Sequence, residues 1–237
     1  MSRRGNRHAR WRRIAAAVAV LVIAGASSAC STRSDEWGDS QYAIAGGGSN
    51  GVYYAYGAEV ARALSGSLGV RVEVAETAGS VDNLLRVSSG EALLGFAQGD
   101  AAADAVAGAG AFDEALPVRA VARLYDEYLH VVVRADSDIV DLGDLAGKTV
   151  SLGAENSGVN VIAARALDAA EVDIASIADP QLDLSASISA LEGSGIDGFF
   201  WVGGIPTPGI AELAKTTPVR LVPVPVSYTH LTLPTKA

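Results

Sequence analysis

The sequence predicts an α/β protein made of two halves that face each other across a cleft. Three observations point there. Short apolar runs alternate with stretches of helical period from residue 41 onward, the pattern of sheets covered by helices. A run of small residues, Gly46–Gly51, stands between a strand and a helix, and a second run, Gly153–Gly158, stands in the same relation to its neighbours. The texture changes at Tyr125, after which a strongly apolar strand, Leu129–Arg134, opens the second half.

The two ends are set aside first. Arg3, Arg4, Arg7, Arg10, Arg12 and Arg13 precede an apolar run, Ile14–Ala26, that is too short to span a bilayer comfortably. This predicts an export signal over residues 1–29. It ends in Ser27-Ser28-Ala29-Cys30, and small residues before the only cysteine in the chain resemble the lipobox of bacterial lipoproteins. That resemblance implies lipidation at Cys30 and a membrane anchor, followed by a polar tether over 30–40. At the other end, VSYTHLTLPTKA has no link to the pattern before it and resembles a sequencing-adapter frame. Residues 225–237 are therefore expected to be foreign to the protein, whose own C-terminal part is expected to be missing.

Six of the 18 basic residues fall in the signal, so the remainder carries 12 basic against 27 acidic residues. A balance so acidic argues against a nucleic-acid partner. About 195 residues remain for folding, enough for a lobe over 41–124 and a second over 125–224. With no cysteine beyond Cys30, neither disulfides nor thiolate metal sites are expected.

In chain order, Tyr42–Ala45 reads as a strand, followed by the glycine turn and a helix over Val52–Leu64 carrying Tyr56, Val60 and Leu64 on one face, stopped by Ser65-Gly66. Val70–Val74 alternates and forms a strand parallel to the first. Ser80 is placed as N-cap of a helix with Val81, Leu84 and Leu85. Glu91–Gln98 reads as a strand, Asp100 as the cap of the next helix, and Val118–Leu124 as another strand. In the second half, a turn of helix at Leu142–Leu145 feeds a strand through Leu152, and a helix follows over Val159–Ala169. Ala186–Glu192 is helix, Ile196–Val202 strand, Ile210–Ala214 helix and Val219–Val222 strand. Alternation of this kind predicts parallel sheets in both halves.

Ligands of open parallel sheets bind beyond the carboxyl ends of the strands. Gly48, Ser49, Asn50 and Gly51 therefore offer donors at the first helix start, with Tyr53 in its first turn. Ser80 and Asn83 occupy the next strand-to-helix turn, and Gln98 ends a strand on the same edge. From the second half come Asn156, Ser157 and Gly158, with Trp201 ending a strand beside them. For Tyr53 and Trp201 core packing is the competing reading, and for Ser80 capping alone. Arg86, Arg123 and Arg134 are the candidates to pair a ligand carboxylate, with surface roles as the default.

The glycine-tyrosine turn, Gly79-Ser80-Val81-Asp82-Asn83-Leu84, Gly95-Phe96-Ala97-Gln98, Leu145-Ala146-Gly147-Lys148, Asn156-Ser157-Gly158, and Asp197-Gly198-Phe199-Phe200 running into Gly203-Gly204-Ile205-Pro206-Thr207-Pro208 resemble the TAXI-type solute receptors of TRAP transporters. The resemblance covers Tyr42–Val224. It implies a two-lobed, type II periplasmic-binding-protein-like fold and a lipid-anchored, monomeric receptor on the outer face of the membrane. It further implies a small anionic solute, a dicarboxylate or an acidic amino acid, passed to a TRAP-type permease. A sensing lipoprotein without transport is the alternative.

Gly46–Gly51 also satisfies G-x-G-x-x-G with Glu73 downstream, the spacing of a dinucleotide enzyme. Export argues against that reading, because dinucleotide pools are cytosolic. His130 lies mid-strand, where packing is favoured over catalysis. No nucleophile triad, paired carboxylates or metal-spaced cluster stands out, so neither catalytic residues, a metal nor a cofactor is expected.

Overall fold

The computed structural model describes residues 41–225, so the signal, Cys30, the tether and residues 226–237 lie outside the described residues. Two sheets organise what is described. The first has strand order β2-β1-β3, with β1 Gln41–Ala45, β2 Arg71–Ala75 and β3 Leu94–Gly95 all parallel. Its helices are α1 Val52–Leu68, α2 Ser80–Ser89 and α3 Gly99–Ala107. The second has order β5-β6-β4-β7, from β4 Tyr128–Arg134, β5 Val150–Ser151, β6 Gly198–Gly203 and β7 Val219–Leu221. Its helices are α4 Gly158–Ala169, α5 Leu184–Glu192 and α6 Pro208–Thr216.

The first sheet is parallel as expected; the second is mixed. Strand β5 runs parallel to β6, but β4 is antiparallel to both β6 and β7. The chain enters this half by a crossover from the first, not by a helix of its own, so nothing obliges β4 to run with its neighbours. On β4, Val131 and Val133 face one core and Val132 the other. Strand β6 divides likewise, Phe200 and Val202 to one side and Phe199 to the other. This sheet is buried on both faces, which is why its sequence reads as an unbroken apolar run.

The first half is thinner. Its core gathers Val81, Leu84, Ala101, Ala105 and Phe112, and β2 leaves Arg71 and Glu73 exposed.

Several expected boundaries move. Helix α1 passes through Gly66 and stops at Gly69, whose left-handed φ of 69° lets its N–H reach the Ser65 carbonyl. The face it buries is Gly57 and Ala61, and Tyr56 is exposed. Only Leu94–Gly95 of the Glu91–Gln98 run is laddered strand. Val118–Leu124 forms no strand: it makes no ladder with any described strand, and Val121 is 83% exposed. Gly79, at φ 127°, is the N-cap residue of α2, which puts Ser80 one position inside the helix. Asp100 caps nothing: Gln98 precedes α3, and the Asp100 carboxylate accepts a 2.9 Å hydrogen bond from Arg165.

Candidate functional site

A cavity of about 60 Å³ lies between the two halves. Four helices begin on its wall: α1 at Gly51, Val52 and Tyr53, α2 at Gly79 and Ser80, α4 at Ser157 and Gly158, and α5 at Asp183 to Ser185. Each helix start carries unpaired N–H groups and roughly half a positive charge. Neither Gly51 nor Gly79 supplies a side-chain cap, so the first amides of α1, and those of Ser80 and Val81 in α2, take no cap, while the Asp82 N–H is used across the cleft. In the other half Ser157 accepts from the Asn160 N–H at 3.1 Å and Asp183 from the Ala186 N–H at 2.8 Å.

The glycine turn is held rigidly. The Gly46 N–H reaches the Ala75 carbonyl at 3.0 Å and the Gly47 N–H the Thr77 hydroxyl at 2.8 Å. The Gly51 N–H closes on the Gly48 carbonyl at 2.9 Å. Gly47, at φ 67°, takes a conformation that disfavours a side chain.

The halves touch across the cavity. A Cβ on Gly158 would sit 2.5 Å from Gln98 Oε1 and 2.6 Å from Ser80 Oγ, so any side chain there must displace one or both of them. The Asp82 N–H donates to the Asn156 carbonyl at 3.1 Å, and Asn50 Nδ2 donates to Ser185 Oγ at 2.7 Å. Arg165 on α4 donates to Asp100 and Asp104 on α3. The Tyr53 hydroxyl donates to Glu127 Oε2 at 2.7 Å. These contacts define a closed arrangement.

Of the residues picked out by sequence, Gly48, Asn50, Gly51, Tyr53, Ser80 and Gln98 line the cavity from the first half. Ser157, Gly158 and Trp201 line it from the second. Three others do not. Ser49 is exposed on the outside of its turn. Asn83 is fully buried, its amide donating to the Phe96 carbonyl at 2.7 Å and accepting from Thr77. Asn156 is exposed at φ 61° and offers only its carbonyl, to Asp82.

Ser80 is not spent on capping; its Oγ accepts from the Gln98 N–H at 3.1 Å. Trp201 lies within β6, not at its end, with Nε1 donating to Thr207 Oγ1 at 3.1 Å and its ring edge against Gly51. Arg86, Arg123 and Arg134 each pair with a nearby surface carboxylate, Asp82, Asp126 and Asp136, and none reaches the cavity.

Sequence reasoning missed Glu127, Thr77, Asp183 and Ser185, which also line the cavity. Asp183 had a readable signal, an acidic cap just before a helix. Glu127 had none. Burial pushes its carboxyl up to about 7, opposed by the Tyr53 hydrogen bond and reinforced by Asp100. Burial likewise raises the Tyr53 phenol far above its ordinary value, with Glu127 adding to it. His130 is buried away from the cavity, its Nδ1 without a partner and its imidazole held below the usual value by burial.

The lining contains no lysine, arginine or histidine, so charge is supplied by backbone dipoles and two carboxylates. Space of this size admits a few water-sized groups, the head of a compact solute and not a dinucleotide. Glu73 sits exposed in mid-strand on β2 and off the cavity wall, where it holds no ribose. No group of three or more metal-ligating side chains occurs among the described residues.

Comparison with solved structures places the fold among type II periplasmic-binding proteins. The alkanesulfonate-binding protein SsuA of Xanthomonas axonopodis pv. citri, bound to MOPS, matches with a TM-score of 0.53 at 19% identity over 77% of this chain and 60% of its own. An ancestral arginine-binding protein bound to arginine gives 0.55 at 15% identity over 77% and 78%. PhnD1 of Prochlorococcus marinus, in complex with methylphosphonate, gives 0.54 at 14% over 77% and 71%. The chain thus spans 60% of the length of the sulfonate-binding protein it matches. Over residues 44–230 it matches the model of the NMT1-like family, and to that family the chain belongs.

Proposed function

We propose that this protein is an extracytoplasmic solute receptor that captures a small anionic solute between its halves and delivers it to a membrane permease. The observation that carries the reading is the convergence of four helix starts, two from each half, on one cavity without a basic side chain. An anion there is held by amide hydrogens and dipoles whose geometry is fixed before it arrives. Contacts such as Asn50–Ser185 and Arg165–Asp100 span the halves, so they form only when the cleft shuts. Binding and closure are therefore one event.

The relatives in fold that bind a sulfonate buffer, an amino acid and a phosphonate support a small solute with an acidic head. The TAXI-like motifs support a TRAP-type permease as the partner. Lipidation of Cys30 completes the reading by keeping the receptor beside that permease. Calorimetric titration with small carboxylates, sulfonates and phosphonates is expected to give one saturable site; no heat and no melting shift for any of them would remove the ligand assignment. Uptake that stops when the ion gradient is collapsed, with ATP intact, supports the TRAP partner, and the reverse contradicts it.

A further inference from the structure

The cavity that the helix starts make attractive to an anion also carries the opposite chemistry. Glu127 faces it with one oxygen engaged, since Oε2 accepts from Tyr53 at 2.7 Å. Oε1 accepts no hydrogen bond from any described residue. Gln98, only 8% exposed, lines the same space, and its Oε1 is buried with no donor. Ser80 and Tyr53 stand on the same wall: the Ser80 hydroxyl accepts from the Gln98 N–H, and the Tyr53 phenol donates to Glu127. Asp183 adds a second carboxylate to the wall. A buried acceptor without a donor, as Gln98 Oε1 is, is costly, and nothing cationic in the lining answers it or the two carboxylates.

We propose that the solute is dipolar, with its acidic head on the helix starts and a protonated amine held by Glu127, with Gln98 Oε1 as second acceptor. The class is thus an amino acid or aminosulfonate, in preference to a plain dicarboxylate. This rests on the receptor reading above and narrows it. The groups around Glu127 are Tyr53 from α1, Asp100 from α3 and Tyr125 from the crossover, none of them cationic, and the guanidinium beside Asp100, Arg165 on α4, is spent on that carboxylate. An ammonium arriving there favours the ionised carboxylate, which otherwise holds its proton up to about pH 7. Binding near pH 6.5 therefore expels a proton from Glu127.

The test titrates the full chain with matched pairs: L-glutamate and glutarate, L-alanine and propionate, taurine and ethanesulfonate. At least one amine is expected to bind roughly tenfold or more tightly than its desamino partner. For that amine, heats in buffers of different ionisation enthalpy are expected to report proton release at pH 6.5. Glu127→Gln is expected to abolish both the gap and the proton release while leaving the melting temperature near that of the parent at pH 6.5. Desamino acids that bind as well as the amines, or a gap that survives in E127Q, would overturn this inference and leave the receptor reading standing. Silence from all six solutes would overturn both.

Discussion

The two halves treat their helix starts differently. In the first, α1, α2 and α3 begin at Gly51, Gly79 and Gln98 with no side-chain cap. In the second, Ser157 and Asp183 cap α4 and α5 on the cavity wall, and only α6, off that wall, starts without a side-chain cap. A cap stabilises a helix by about 1 kcal/mol, so the first half forgoes stability to keep amides free. It is also the half with the thinner core, whereas the second packs apolar layers on both faces of its sheet. On the proposed function this difference would divide the work: the first half would seat the anion, and the second would act as the door that shuts on it.

The largest expected effect breaks the door. Gly158→Leu places side-chain atoms where Gln98 and Ser80 now stand, yet Gly158 has an ordinary helical φ and lies at the first position of α4. The variant is expected to fold with a near-parental melting temperature and to lose affinity by about a hundredfold or more, because closure is blocked. Binding at parental strength would show that the halves need not meet.

Next comes the exchange of capping states. Gly51→Ser supplies the first half with a hydroxyl that competes with the ligand for the α1 amides. Affinity is expected to fall roughly tenfold while stability rises by a few tenths of a kcal/mol. Ser157→Ala does the reverse in the second half, costing about 1 kcal/mol in chemical denaturation with a smaller loss of affinity than Gly51→Ser. Equal losses from the two variants would erase the distinction between seat and door.

A smaller effect attends Arg165→Gln, which removes the pair with Asp100 and Asp104 that spans the halves. Partly exposed pairs contribute modestly, so affinity is expected to drop about threefold. Small-angle scattering without solute should show a larger radius of gyration than the parent.

The smallest is a pH effect on stability. The Glu127 carboxyl is raised from 4.5 to about 7 on folding, so the folded state favours its protonated form. That contribution is complete below pH 4.5 and is lost as pH climbs through 7. Relative to Glu127→Gln, the parent is expected to lose melting temperature over that interval; a difference independent of pH would place the carboxyl in water.

Much of this was legible in the sequence because it is local. The turns at Gly46–Gly51 and Gly153–Gly158 announce themselves by small residues between apolar runs, and β1, β2 and α4 follow from their periods. Direction was not legible: Val131-Val132-Val133 reads the same whether β4 runs with or against β6, and the partner that decides it, Gly198–Gly203, is distant in the chain. The placement of Ser80 as N-cap was off by one position because a local capping rule sees one hydroxyl beside a helix. The Gln98 N–H that claims that hydroxyl is 18 residues on. Glu127 was invisible for a related reason. Two adjacent carboxylates, Asp126 and Glu127, between tyrosines offer no spacing that singles one out, and only folding sets Glu127 against Tyr53 and the cavity.

Backbone amide shifts of the ¹⁵N-labelled protein, followed as the tightest-binding solute of the panel is added, test the central claim most directly. The account predicts that Val52, Tyr53 and Ser80 in the first half and Gly158 and Ser185 in the second move together along a single saturation curve. Shifts confined to one half, or centred on the separate surface groove of Tyr56, Tyr128 and Pro206, would contradict it.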